Sequence, residues 1–372
     1  MLKIFEKLFK GKTSGEAENG KVPESEEQTQ PVEAEAAGCV LANAVPADTA
    51  EMEAANAQIS GREKGMAEKQ ELQRENATGA GNLQVQLSSL DMPTLDMDLT
   101  GIPELSTKTI FVSYATNVGK VRDGNEDNYY VDSVGLRLQE NESGEKKLDW
   151  KFPRVFAVCD GMGGEAYGEV ASQITADTIR GTVQQIREAS SEELDGVIHQ
   201  MVTAANDRII EMRKERRCGI SGSTLAMVCL YGLDARIYSI GDSKVYCLED
   251  GILTQINEDQ TVAARKVKAN IYTEEEARQS SDFSKLTCFV GVDDRGIGLK
   301  ALTYQPIRME DQILVLCSDG LSDMCEKEEI AQVLLETNGN RAEALVERAL
   351  ERGGEDNVTC IVIECREEDT RE

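Results

Sequence analysis

The chain has 372 residues, room for one large domain or two ordinary ones. Its formal net charge of −28 excludes the basic stripe that a nucleic-acid binder needs. A single histidine, His199, argues against His-ligated zinc and against Ser-His-Asp or Cys-His catalysis, and its polar helical neighbours suggest no role.

Residues 1–12 read MLKIFEKLFKGK. On a helix, Leu2, Ile4, Phe5, Leu8 and Phe9 share one face, with Lys3, Lys7 and Lys10 around the rest. This short basic amphipathic segment suits a membrane surface or a partner groove and lacks the apolar core and cleavage site of a signal peptide. Residues 13–106 are expected to be a disordered acidic linker. Glu, Ala, Gln, Asn, Gly and Ser dominate, and no aromatic residue occurs between Phe9 and Phe111. Such a segment buries too little apolar surface to offset its ordering entropy. Asp91–Leu105 is more apolar and reads equally as a docking segment or as the linker's end.

A folded domain is expected over 107–366, with a tail over 367–372. Runs rich in Val, Ile and Tyr predict strands at Thr109–Tyr114, Tyr129–Ser133, Val155–Cys159, Thr224–Tyr231, Ala235–Ile240, Lys244–Leu248, Ile313–Cys317 and Val358–Ile363. Two long helices fall between the third and fourth strands. One spans about 165–189; the next follows a capping box at Ser190-x-x-Glu193 and ends near Arg217. A shorter helix begins at Thr273-x-x-Glu276, and another spans about 341–351 before Gly353-Gly354. Consecutive strands joined by short turns, with helices grouped elsewhere, predict antiparallel sheets with helical layers outside. Ten cysteines, several inside apolar runs and none in a CxxC pair, read as buried free thiols in a reducing compartment. No apolar stretch approaches the roughly 20 residues that span a bilayer. The expected location is cytoplasmic, with residues 1–12 leaving room for a peripheral contact at the inner membrane face.

Four carboxylates stand at the ends of apolar runs: Asp160, Asp242 and Asp319 after a run, Asp356 before one. In antiparallel sheets the start of one strand lies beside the end of its neighbour, so all four could meet at one rim. Gathered carboxylates repel unless a cation joins them, and hard divalent cations prefer all-oxygen ligands. A metal-dependent enzyme acting on phosphate is the first idea. Two glycine-bearing loops accompany the carboxylates. Asp160-Gly161-Met162-Gly163-Gly164 loosely matches a dinucleotide-binding turn. That fold needs a second strand before its acidic residue, whereas the chain is still helical at Asp177. Arg122-Asp123-Gly124-Asn125-Glu126-Asp127 is not an EF-hand loop, because Asn128 and Val134 replace its Gly and Glu. Arg122 suits bidentate phosphate binding. Taken singly, Asp242, Asp319 and Asp356 are also ordinary turn residues.

The segments RDGNEDNYYVD, FAVCDGMGGEAYGEVAS, SGSTLAMV, YSIGDSKVY, LVLCSDGLSD and GGEDNVTCIVI, in this order, resemble the metal-dependent Ser/Thr protein phosphatases of type 2C in their bacterial form. The resemblance covers about 107–365. It implies an α+β fold: a central sandwich of two antiparallel β-sheets flanked by α-helices, in four αββα layers. It implies hydrolysis of phosphoserine and phosphothreonine by water bridging two Mg²⁺ or Mn²⁺ ions, with a third, weaker ion in some relatives. By position, Asp160 would bridge the two ions, Gly161 would offer its carbonyl, and Asp319 and Asp356 would bind directly. Glu126 and Asp127 would complete the shell, Asp242 would serve the third ion, and Arg122 would hold the substrate phosphate. Phosphoproteins are the implied substrates and opposing Ser/Thr kinases the implied partners. The chain departs from the pattern at Met162, where some relatives carry a His proposed as general acid. Lys244 stands in place of the usual Arg, and Gln260 where bacterial relatives often have His. Residues 259–292 should form a flap beside the site. A catalytically weak relative that binds signalling partners, or an enzyme for non-protein phosphoesters, are the alternatives.

Overall fold

The computed structural model describes residues 108–163, 167–293 and 298–367. The expectations for residues 1–12, for 13–106 including Asp91–Leu105, and for the tail beyond Glu367 lie outside the described residues.

The chain first forms β1 (Lys108–Asn117), β2 (Asn128–Val131), β3 (Gly135–Leu136), β4 (Glu142–Leu148), β5 (Arg154–Cys159) and β6 (Gly161–Gly163). Two long helices follow, α1 (Gly168–Glu188) and α2 (Leu194–Arg216). Next come β7 (Ser221–Ser223), β8 (Leu225–Tyr231), β9 (Asp234–Ile240), β10 (Lys244–Glu249) and β11 (Ile252–Gln255). Then α3 (Val262–Lys268) and α4 (Glu274–Arg278) precede β12 (Leu302–Thr303), β13 (Ile307–Arg308) and β14 (Ile313–Cys317). Last are α5 (Asp319–Ser322), α6 (Lys327–Glu336), α7 (Arg341–Arg352) and β15 (Val358–Glu367).

One sheet has the order β11-β10-β14-β15-β1-β4 and the other β12-β9-β8-β5-β2-β3, with β13 also on β9. Each of these pairings is antiparallel. The layers follow from two-residue alternation. On β5, Phe156 and Val158 face the other sheet, while Val155, Ala157 and Cys159 pack with Ile179, Ile186, Ile198 and Ile209 of α1 and α2. On β15, Ile361 and Ile363 enter the inter-sheet core, while Cys360 and Val362 meet Leu334 of α6 and Leu345 of α7. Central strands must therefore be apolar on both faces, which is why the sequence shows continuous runs there. Each fully buried Ile, Leu or Phe contributes about 1.5–3 kcal/mol. The four-layer αββα architecture implied by the resemblance is the one observed.

Local differences have local causes. Ser190 does not cap α2: its hydroxyl donates to Glu193, and the helix begins at Leu194 after a turn. Thr273 and Glu276 do form the reciprocal box. The strand β4 (ESGEKKL) was not anticipated. It is an edge strand paired only to β1 and mostly exposed, so no apolar period marks it.

The register sets up one rim. Lys244 lies opposite Cys317, and Cys317 opposite Cys360. In the other sheet Asn128 lies opposite Cys159, and Leu225 opposite Ile240. The chain continues from these positions into Asp127, Asp160, Asp242, Asp319 and Asp356, so both sheets deliver carboxylates at the same end.

Candidate active site at the rim of the sandwich

Asp160 leaves β5 beside Thr224. The Asp160 N–H donates to Thr224 Oγ1 at 2.9 Å, and Asp160 C=O accepts from the Thr224 N–H at 2.8 Å. Thr224 Oγ1 also bonds to Ser243 Oγ at 2.6 Å, which ties Asp160 to the turn carrying Asp242. Gly161 is glycine because α1 begins directly against it. A Cβ there would lie 2.2 Å from Gly168 O and 2.5 Å from Glu126 O. This packing brings the Glu126 backbone, the start of α1 and the Asp160 loop together.

Asp127 is 0% exposed. Its Oδ2 accepts from Ser318 Oγ at 2.7 Å, and its Oδ1 has no hydrogen-bond partner. Ser318 Oγ in turn accepts from the Thr359 N–H at 2.9 Å. Asn357 ties the Arg122 loop to this floor. Its Oδ1 accepts from the Glu126 N–H at 2.7 Å, and its Nδ2 donates to Val118 O and Gly124 O, each at 2.9 Å. Asp319 opens α5, where Gly320 lies so close to Asn357 that a Cβ would stand 2.0 Å from its carbonyl oxygen.

The carboxylates load the rim with negative charge. Burial pushes Asp160 well above the usual carboxylate range, and the charges of Asp127, Asp319, Asp242 and Asp356 push it further. Burial and Asp356 raise Asp319, against Lys244 and a hydrogen bond with Asp160. Burial and Asp319 raise Asp242, again against Lys244. Burial raises Asp127 although Ser318 and Thr359 hydrogen bonds oppose it. Burial and Glu169 raise Glu126, against Arg122. Two cations answer this charge. Arg122 Nη2 donates to Asp356 Oδ2 at 2.6 Å, from a half-exposed position. Burial alone would lower Arg122, but the charge and hydrogen bond of Asp356 outweigh it. Lys244 is nearly buried and meets Asp259 at 3.0 Å and Asp242 O at 3.2 Å. Burial alone would lower its ammonium, and Asp259 is the largest influence raising it instead.

The sequence-predicted residues thus fall at one end of the two sheets, with Asp160 and Asp319 in direct contact. Among the described residues no three His, Cys, Asp or Glu side chains stand as a closed metal cage. The donor set nevertheless fits a hard divalent cation: the ligands are all oxygen, and the buried Asp127 Oδ1 is unpartnered.

Residues 147–355, more than half of the chain, match the family model described as protein phosphatase 2C. The chain belongs to this family. It is 32% identical over 259 residues to the serine/threonine protein phosphatase PstP of Mycobacterium tuberculosis, covering 68% of this chain and 45% of that protein. The chain therefore spans less than half the length of that curated relative. It is 25% identical over 255 residues to the serine/threonine phosphatase stp of Listeria monocytogenes, covering 68% of this chain and 94% of the relative. Among solved structures, the Mycobacterium tuberculosis phosphatase PstP/Ppp aligns with a TM-score of 0.56 at 29% identity, over 69% of this chain and 98% of that one. The catalytic domain of PstP in complex with two manganese ions aligns at 0.55 and 29%, over 70% and 99%.

Sequence reasoning missed several members of this protein phosphatase 2C rim. Thr224, Ser318 and Asn357 carry no charge pattern, and their partners lie 64, 191 and 231 residues away. Asp259 and Asp323 join Asp242, Asp319, Lys244, Thr261, Phe283 and Ser284 around a cleft. The SDGLSD motif, with its second acid four residues after Asp319, was the one available signal for Asp323. Met162 sits in β6 opposite Gly222. His199 lies on α2 with a buried, unpartnered Nδ1.

Proposed function

We propose that this chain is a protein phosphatase that hydrolyses phosphoserine and phosphothreonine and requires Mn²⁺ or Mg²⁺. The observation that carries the reading is the crowd of partly desolvated carboxylates at one rim, including Asp127 with an oxygen aimed at no donor. Family membership supports the reaction class, and the two-manganese structure of a relative supports the metal.

Asp160, Asp319, Asp356 and the Gly161 carbonyl would hold two cations, with Glu126 and Asp127 completing the shell. Asp242 would serve a third, weaker one. Bound there, divalent cations lower the pKa of water and offset charge that develops at phosphorus. The protein's own part is placement. Arg122 would hold the phosphate oxygens through its planar fork, a role that competes with its present pairing to Asp356. Ser318 fixes Asp127, and Thr224 fixes Asp160, so neither needs to reorganise during the reaction. With Met162 in β6, the leaving alkoxide takes its proton from water or another group. Substrates would be phosphoproteins, in opposition to Ser/Thr kinases. Residues 1–12 would give a weak contact with an anionic membrane surface or a partner. No helix among the described residues is long and apolar enough to cross a membrane.

The test is phosphate release from a phosphothreonine peptide with Mn²⁺, with Mg²⁺ and with EDTA, for the wild type and Asp319→Asn. Release that needs metal and is lost in the variant is expected. No release with either metal would leave the partner-binding module as the surviving reading.

A further inference from the structure

Gly241 is where the Asp242 turn is most constrained. Its φ is +92°, and a Cβ would lie 2.8 Å from Thr224 Cγ2. Both of its backbone polar groups go to one residue. The Gly241 N–H donates to Gln260 Oε1 at 2.8 Å, and Gly241 O accepts from the Gln260 N–H at 3.0 Å. Gln260 is itself locked into the flap. Its carbonyl accepts from the Thr287 N–H at 2.7 Å and from Thr287 Oγ1 at 2.8 Å. The residues just before Gln260 follow the same turn in parallel. Asn257 Nδ2 donates to Ser243 O at 2.9 Å, and Asp259 holds Lys244 at 3.0 Å.

We propose that Gln260 is a positioning residue that fixes the Gly241–Ser243 turn, and with it the Asp242 carboxylate, for cation binding. The proposal rests on the reading of Asp242 as a cation ligand. The physical need is specific. Asp242 is almost fully buried and faces the like charge of Asp319. A carboxylate that its neighbour repels stays in place only if its backbone is held. The Gln260 amide oxygen supplies that hold through a hydrogen bond to Gly241, and a side chain of the same length without an acceptor would leave the Gly241 donor unmatched. The backbone bond to Gly241 and the Asn257 contacts would remain, so the fold survives the loss of this one bond.

The experiment uses the full chain as wild type, Gln260→Met and Gln260→Glu. Met matches the length without an amide oxygen; Glu keeps an acceptor. In EDTA, deuterium exchange of the Gly241 amide should be about five- to ten-fold faster in Gln260→Met and return to the wild-type rate in Gln260→Glu. In Mn²⁺ titrations followed by electron paramagnetic resonance of free Mn²⁺, the weakest binding step should weaken about five- to ten-fold in Gln260→Met, with tighter steps unchanged. At saturating Mn²⁺ the KM for phosphothreonine peptide should stay at the wild-type value. Unchanged Gly241 exchange overturns the proposal. So does faster exchange with wild-type Mn²⁺ binding, since the turn's order then has no bearing on Asp242. A wild type that binds Mn²⁺ but releases no phosphate sinks the phosphatase reading and leaves the exchange and binding arms readable.

Discussion

Asp127→Asn should stabilise the metal-free protein in a pH-dependent way and disable the loaded one. Asp127 is 0% exposed, and only one of its oxygens has a partner. Burial, opposed by Ser318 and Thr359 and reinforced by Asp319 and Asp356, pushes its carboxyl from 3.8 up to about 7. A shift of roughly 3 units corresponds to about 4 kcal/mol between the two protonation states. The folded-state value is raised, so the neutral carboxyl's contribution is full below about pH 4 and is lost as pH rises through about 7. Asn does not titrate and has nearly the same shape, and the Ser318 hydroxyl can turn to meet either terminal atom. In EDTA, Asp127→Asn should therefore gain on the wild type between pH 5 and pH 8 by about 2–3 kcal/mol, the part of the shift that lies above pH 5. At about 2–4 °C per kcal/mol for a domain of this size, the gap in Tm should widen by about 5–10 °C. Adding Mn²⁺ at pH 8 should reverse the order, because a cation replaces the proton only in the wild type. Thermal melts at both pH values, with EDTA and with Mn²⁺, decide it. A gap that is the same at pH 5 and pH 8 in EDTA would refute the claim that Asp127 is an uncompensated buried charge.

Arg122→Ala should raise the KM for phosphopeptide roughly 10- to 100-fold in steady-state kinetics, the worth of charged hydrogen bonds to phosphate, and an unchanged KM would count against it. Gly320→Ala should cost about 1–3 kcal/mol or more in urea unfolding, because its Cβ would stand 2.0 Å from Asn357 O; an unchanged midpoint would mean the α5 start can shift freely. Asn357→Ala removes three hydrogen bonds that hold the Arg122 loop, so a loss of about 2–4 kcal/mol is expected, with faster amide exchange at Glu126.

The amino-acid sequence by itself determined the strands that carry the site. Val155–Cys159, Ile313–Cys317 and Val358–Ile363 are continuous apolar runs because each face of those strands meets a different core, and the acids at their ends mark where the chain leaves the core for water. It also showed the glycine-rich turn that follows Asp160. It could not show which strands lie side by side, because a strand's period encodes its faces and not its neighbours. Nor could it show that Thr224 and Asn357 hold the acids in place, since their hydrogen bonds join residues scores to hundreds of positions apart. β4 escaped notice because an edge strand needs no apolar face. Only the tertiary structure brought Lys244 onto Asp259 and Gln260 onto Gly241. Those pairings depend on burial, and burial is set by the packing of the layers rather than by any local run of residues.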